Sequence, residues 1–82
     1  MGKYEDTFND IMSGRKDNNI RFGDVRSLLD HLGFEYRISG DHFIYYMPSM
    51  PENINIQPLG SKAKAYQVKQ IRRFFTRYRI DL

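Results

Sequence analysis

FEYRISGDHFIYYM, residues 34–47, decides the fold. Two aromatic-rich runs flank Gly40-Asp41, and the alternation within each predicts two strands joined by a tight hairpin. Glycine at the first central position is the signature of a type II′ turn, whose twist matches that of the flanking strands. A loop of those two residues sets Ser39 opposite His42, Ile38 opposite Phe43, Arg37 opposite Ile44 and Tyr36 opposite Tyr45. Side chains alternate across a strand, so Phe34, Tyr36, Ile38, Phe43, Tyr45 and Met47 share one face. Glu35, Arg37, Ser39, His42, Ile44 and Tyr46 share the other. That second, less apolar face gathers an imidazole, a guanidinium and a hydroxyl beside the turn.

Working outward, the segment before the hairpin reads as two helices. Tyr4, Phe8, Ile11 and Met12 recur at the spacing of a short amphipathic helix, with Gly14 as its C-cap. A polar loop, residues 15–19, precedes a second helix with the stripe Val25, Leu28, Leu29, Leu32, which Gly23 or Asp24 caps at its start and Gly33 ends. After the hairpin, Pro48 and Pro51 stop the second strand and form a connection. Residues 53–57, Asn-Ile-Asn-Ile-Gln, alternate strictly and predict a third strand with Ile54 and Ile56 facing the core. Pro58 and Gly60 break it, and residues 59–65 read as a loop carrying Lys62 and Lys64. A last helix starts near Tyr66 and presents Val68, Ile71, Phe75 and Tyr78 on one face, with Phe74 beside them. The order α-α-β-β-β-α predicts an α+β two-layer sandwich, a three-stranded antiparallel sheet with helices on one face.

The chain has 82 residues, enough for one domain, 1–82, and for no second core. Aromatic residues make up 15%, a generous share that compensates for small size. There is no cysteine, which excludes disulfides, thiolate metal sites and cysteine nucleophiles, and suits a reducing cytoplasm. No apolar run reaches membrane-spanning length, and MGKYEDTF has no secretory apolar region, so no membrane association is expected. Net charge is +3, but from Asn53 to Ile80 there are seven Lys or Arg and no acid. A basic C-terminal third suggests a patch for a polyanion, nucleic acid above all, although a charge run alone is more often a solvated helix face.

His42 is the candidate catalytic residue. It lies on the polar face of the sheet, next to a glycine turn that a substrate backbone can approach, and shares its face with Arg37 and Ser39. An imidazole there can take the proton of a ribose 2′-OH, which then attacks the adjacent phosphorus, while Arg or Lys steadies the charge on the phosphoryl oxygens. Asp41 is read mainly as a turn residue, since neighbours in a turn point in different directions. Lys62, Lys64 and the exposed face of the last helix, with Lys69, Arg72 and Arg73, form the candidate phosphate-binding set. Tyr46 either stacks on an unpaired base or covers a sheet edge. His31 reads as a helix-end residue. Two histidines, no cysteine and no carboxylate cluster at ligand spacing argue against a metal site, and no cofactor motif is present.

The segments KYEDTFNDIMSG, IRFGDVRSLLDHLGFEYRISGDHFIYY and INIQPLGSKAKAYQVKQIRRFF resemble the HicA toxins of bacterial type II toxin–antitoxin systems. The sharpest markers are the leading KYE-F, the helix ending LLDHLGFE, the G-x-H on the hairpin and the NIQP-to-AYQVKQIR passage. The resemblance implies a double-stranded-RNA-binding-domain-like fold and an mRNA interferase that cleaves RNA without metal. His42 would be the catalytic histidine, Gly40 the glycine before it, and a HicB-type antitoxin the partner that covers the region. Two positions depart from the family's pattern. Asp41 stands where the family often has Ser, and Phe43 where it often has a second His. A carboxylate beside the scissile phosphate would repel it.

The alternative reading is a non-catalytic RNA-binding module that uses the same basic surface. A third is a protein-interaction domain whose basic helix meets an acidic partner.

Overall fold

β1 (Glu35–Ser39) and β2 (His42–Tyr46) form the expected hairpin, in the computed structural model that describes residues 2–82. Every predicted pair is present, and Glu35 opposite Tyr46 extends the ladder. Gly40 takes φ 64° while Asp41 stays at negative φ, as a type II′ turn requires. β3 (Ile54–Ile56) adds antiparallel to β2, with Phe43 opposite Ile56, Ile44 opposite Asn55 and Tyr45 opposite Ile54. The sheet order is thus β1-β2-β3, and Tyr45, Ile54 and Ile56 all point into the core.

α2 (Phe22–His31) and a last helix over Ala65–Arg77 pack on that inner face, and α1 (Lys3–Ser13) packs against these two helices. Most of the predicted stripe residues are buried, with Ile11, Val25, Leu28, Leu29, Val68, Ile71, Phe74 and Phe75 in one cluster with the sheet and Phe8, Met12, Leu32 and Tyr78 partly buried against it, whereas Tyr4 is exposed. Gly33 ends α2 at φ 92°, and the Phe34 and Gly33 N–H groups donate to the Leu29 and Asp30 carbonyls, both at 3.1 Å. That is a Schellman motif, and its apolar contact is supplied by buried Phe34 and Leu29. The start of α2 differs from expectation. Arg21, not Gly23 or Asp24, is the N-cap residue, and it makes no side-chain cap bond. Asp24 lies inside the first turn and pairs with Lys3 at 3.4 Å.

Tyr45 is fully buried, and its hydroxyl accepts a hydrogen bond from Arg26 Nε at 2.8 Å. The same guanidinium lies 4.4 Å from the Phe43 ring centre and 4.9 Å from that of Tyr36, so a cation is held in the layer interface by aromatic faces and a phenol.

Residues 59–65, read as a loop, contain a second small ladder. β4 (Pro58–Leu59) and β5 (Lys62–Ala63) pair antiparallel across Gly60 and Ser61. The chain entering α2 joins them: Ala63 N–H donates to the Ile20 carbonyl and Phe22 N–H to the Ser61 carbonyl, each at 2.9 Å. These strands are too short for alternation to appear, and their partner lies about forty residues upstream in an unpatterned stretch. The last helix, α3, follows at Ala65, one residue before the predicted start.

β1 is the other departure. Tyr36 and Ile38 share the inner face with Tyr45 yet are 44% and 55% exposed, because β1 is an edge strand that the helices only partly cover.

Candidate functional site

His42 is the first residue of β2, on the sheet face that no helix covers. Asn55, the polar centre of β3, lies opposite Ile44 and so is diagonal to His42 on that face. His42 Nδ1 is 3.0 Å from Asn55 Oδ1. An amide oxygen only accepts, so Nδ1 donates its hydrogen in this contact. Nε2 in turn lies 3.8 Å from Asp41 Oδ1, and the imidazole is 44% exposed. Asp41 therefore turns toward the ring, contrary to the expectation that turn neighbours diverge.

A polar chain ties this turn to the core. Gln67 on α3 is buried and accepts the Gln57 backbone N–H at 2.6 Å. The Gln57 side chain then reaches both ways: its amide donates to Asp41 Oδ2 at 3.0 Å, and its oxygen accepts from Lys64 Nζ at 2.9 Å. The Gln57 hydrogen bond holds the Asp41 carboxyl below the ordinary aspartate value against a small opposing effect of burial, with His42 and Lys64 adding electrostatic help. Asp41 is thus an ionised group with a cation close by. Among the expected phosphate contacts, Lys64, at the N-cap of α3, is the one tied to the His42 turn by this chain.

The other expected residues divide among separate places. Ser39 faces His42 across the hairpin, and Gly40 forms the turn between them. Arg37 lies on the same bare face with its guanidinium 5.9 Å from the Tyr46 ring centre, so part of that ring already has a cationic neighbour. Lys62 is exposed on β5. Lys69 and Arg73 are exposed on α3. Arg73 lines a cleft of about 260 Å³ between α3 and the start of β3, together with Asn53, Gln70 and the ion-paired Glu52 and Arg77. Arg72 is not available as a phosphate contact. Its guanidinium clamps both carboxylate oxygens of Asp17, at 2.9 and 3.1 Å, and donates to the Ile11 carbonyl at 2.8 Å. The basic C-terminal third is therefore not one continuous patch.

Asn55, Gln57 and Gln67 were absent from the candidates. The signal for Asn55 was in the strand pattern: if Ile54 and Ile56 face the core, Asn55 must face the same side as His42. Gln67 has no comparable signal, since it falls within the apolar arc of α3. His31 stacks on Tyr4 with ring centres 4.1 Å apart, a helix-end role. Among the described residues, no group of three or more His, Cys, Asp or Glu side chains is placed to hold a metal ion, and no helix is long and apolar enough to cross a membrane.

Comparison with known protein families, with curated proteins and with solved structures finds no match for this chain.

Proposed function

We propose that this chain is a HicA-type toxin, an endoribonuclease acting on mRNA in the cytoplasm, with a double-stranded-RNA-binding-domain-like fold and a HicB-type antitoxin as its inhibitor. The observation that carries the reading is the His42–Asn55 hydrogen bond, which orients the imidazole by Nδ1 and leaves Nε2 directed away from Asn55 on an uncovered face beside a glycine turn. In this reading Nε2 takes the proton of a ribose 2′-OH, the 2′-oxygen attacks the neighbouring phosphorus, and the bond to the 5′-oxygen breaks as that oxygen takes a proton from water, giving a 2′,3′-cyclic phosphate and a 5′-hydroxyl. Asp41, 3.8 Å from Nε2, stabilises the imidazolium as it forms. Lys64 offsets the repulsion between the Asp41 carboxylate and the incoming phosphate, and Arg37 and Tyr46 meet the RNA on the same face. The antitoxin inhibits by covering that face.

Asp41 also supports a second reading, a module that binds RNA without cutting it, because its negative charge sits where a scissile phosphate would approach. Purified protein incubated with a synthetic single-stranded RNA separates the two. The proposed enzyme yields cyclic-phosphate ends in the presence of EDTA, and His42→Ala reduces cleavage at least a hundredfold without loss of RNA affinity. Cleavage or toxicity unchanged by His42→Ala would sink the assignment. Binding with no products would select the second reading.

A further inference from the structure

We propose that β1 is a self-pairing edge, and that two copies of this chain associate through antiparallel β1–β1 contact to form a continuous six-stranded sheet. β1 has five residues, exposed at every position, with β2 on one side and an open edge on the other. It contains no proline and no lysine, and its two charges, Glu35 and Arg37, are opposite in sign and so do not repel a second copy in every register.

The hairpin fixes which backbone groups are open. In a hairpin with a two-residue loop the pair flanking the loop, here Ser39 and His42, is hydrogen-bonded. Glu35, Arg37 and Ser39 therefore direct their N–H and C=O groups toward β2, while Tyr36 and Ile38 direct theirs outward. An incoming antiparallel copy must bond at those even-numbered positions, so only registers that pair like parity are possible.

Among these registers, one matches side chains on both faces. With Tyr36 opposite Tyr36 of the second copy, Glu35 lies opposite Arg37 and Arg37 opposite Glu35, in the non-hydrogen-bonded pairs where side chains approach closest. Two ion pairs form on the outer face, and on the inner face the exposed Tyr36 rings meet while Ile38 comes beside Phe34. A shift one way sets Arg37 against Arg37, and a shift the other way sets Glu35 against Glu35. Charge thus selects the register that also covers the apolar side chains left open by α2. A single short strand pair gives a small interface, of the weak class below about 1,200 Å², so association should be concentration-dependent and not obligate.

Sedimentation equilibrium of the full chain from about 10 μM to 1 mM tests this range of weak association. The expected result is an average mass rising from 9.8 kDa toward twice that value. Arg37→Glu should weaken association at least tenfold, and adding Glu35→Arg in the same chain should restore it, because each pair is then reversed but still opposite in sign. Circular dichroism verifies that both variants stay folded. Independently of any variant, the amide protons of Tyr36 and Ile38 should gain hydrogen-exchange protection as wild-type concentration rises. A wild-type mass that stays at 9.8 kDa throughout, or a folded double variant that fails to recover association, would overturn the proposal.

Discussion

His42 Nδ1 and Asn55 Oδ1 lie 3.0 Å apart, so one residue of β3 orients the imidazole that begins β2. If Nε2 is the working base, Asn55 acts through it as a positioning residue. Asn55→Ala should lower the turnover of RNA by about ten- to a hundredfold while affinity stays within twofold, since the ring loses orientation and not its contact with substrate. Asn55→Asp should move the acid limb of the pH–rate profile to higher pH, because a carboxylate at Nδ1 favours the protonated ring and the base must be neutral. An unmoved profile would remove Asn55 from the mechanism.

Arg72 joins α3 to the loop after α1 through a two-pronged contact with Asp17. Arg72→Ala leaves a largely buried carboxylate and the Ile11 carbonyl without their donor, and should cost about 2–3 kcal/mol in urea unfolding. Arg72→Lys should recover only part of this, since an ammonium cannot bond both oxygens in the same plane. The salt dependence of RNA binding should be the same in folded Arg72→Ala as in wild type, whereas loss of a phosphate contact would reduce the slope by about one.

The same pair gives a pH dependence with a definite sign. The Arg72 hydrogen bond holds the Asp17 carboxyl below the ordinary value of 3.8, outweighing the opposing effect of burial. The unfolded chain therefore takes up this proton first as pH falls. Stability from the pair is full above pH 3.8 and is lost as pH drops through the lower folded value. Wild type and Asp17→Asn should differ most in urea midpoint above that pH and converge below it. A gap that stays constant into strong acid would contradict the linkage.

Arg79 ends α3 at φ 54°, with Ile80 N–H donating to the Phe75 carbonyl at 2.9 Å. It occupies the left-handed position that Gly33 fills after α2. Arg79→Gly should stabilise the fold by about 1 kcal/mol, with a rise in Tm of roughly 4–8 °C. A lower Tm would show that the arginine side chain contributes more than its backbone conformation costs.

The hairpin register, the three helix stripes and the glycine stop of α2 were legible because each is a local pattern, with a period of 2 or 3.6 or a single residue required by φ. The α+β layering followed from those patterns. What stayed hidden depends on residues distant in the chain. Arg72 and Asp17 are 55 positions apart, and a basic residue on a helix flank carries no mark of its partner. Lys62 and Ala63 form a strand because the entry to α2 lies beside them, and nothing in their own composition says so. The exposure of Tyr36 and Ile38 is set by how far α2 extends beneath β1, which alternation alone does not fix. At the site, His42 was readable as an exposed polar-face residue, whereas the Gln67–Gln57–Asp41 chain needed the docking of α3 against the end of β3.

The bare face of the sheet has an evolutionary consequence. Along β2 and β3, residues that hold the core alternate one for one with residues that meet the outside, so neighbouring codons answer to different selective demands. Ile54 and Ile56 are constrained by packing, while Asn55 between them is free of the core and constrained only by His42. Drift at the outer positions can change the chemistry of the bare face without unfolding the protein. A lineage could therefore replace His42, keep a stable scaffold, and redirect the use of this face through the same few outward-facing positions.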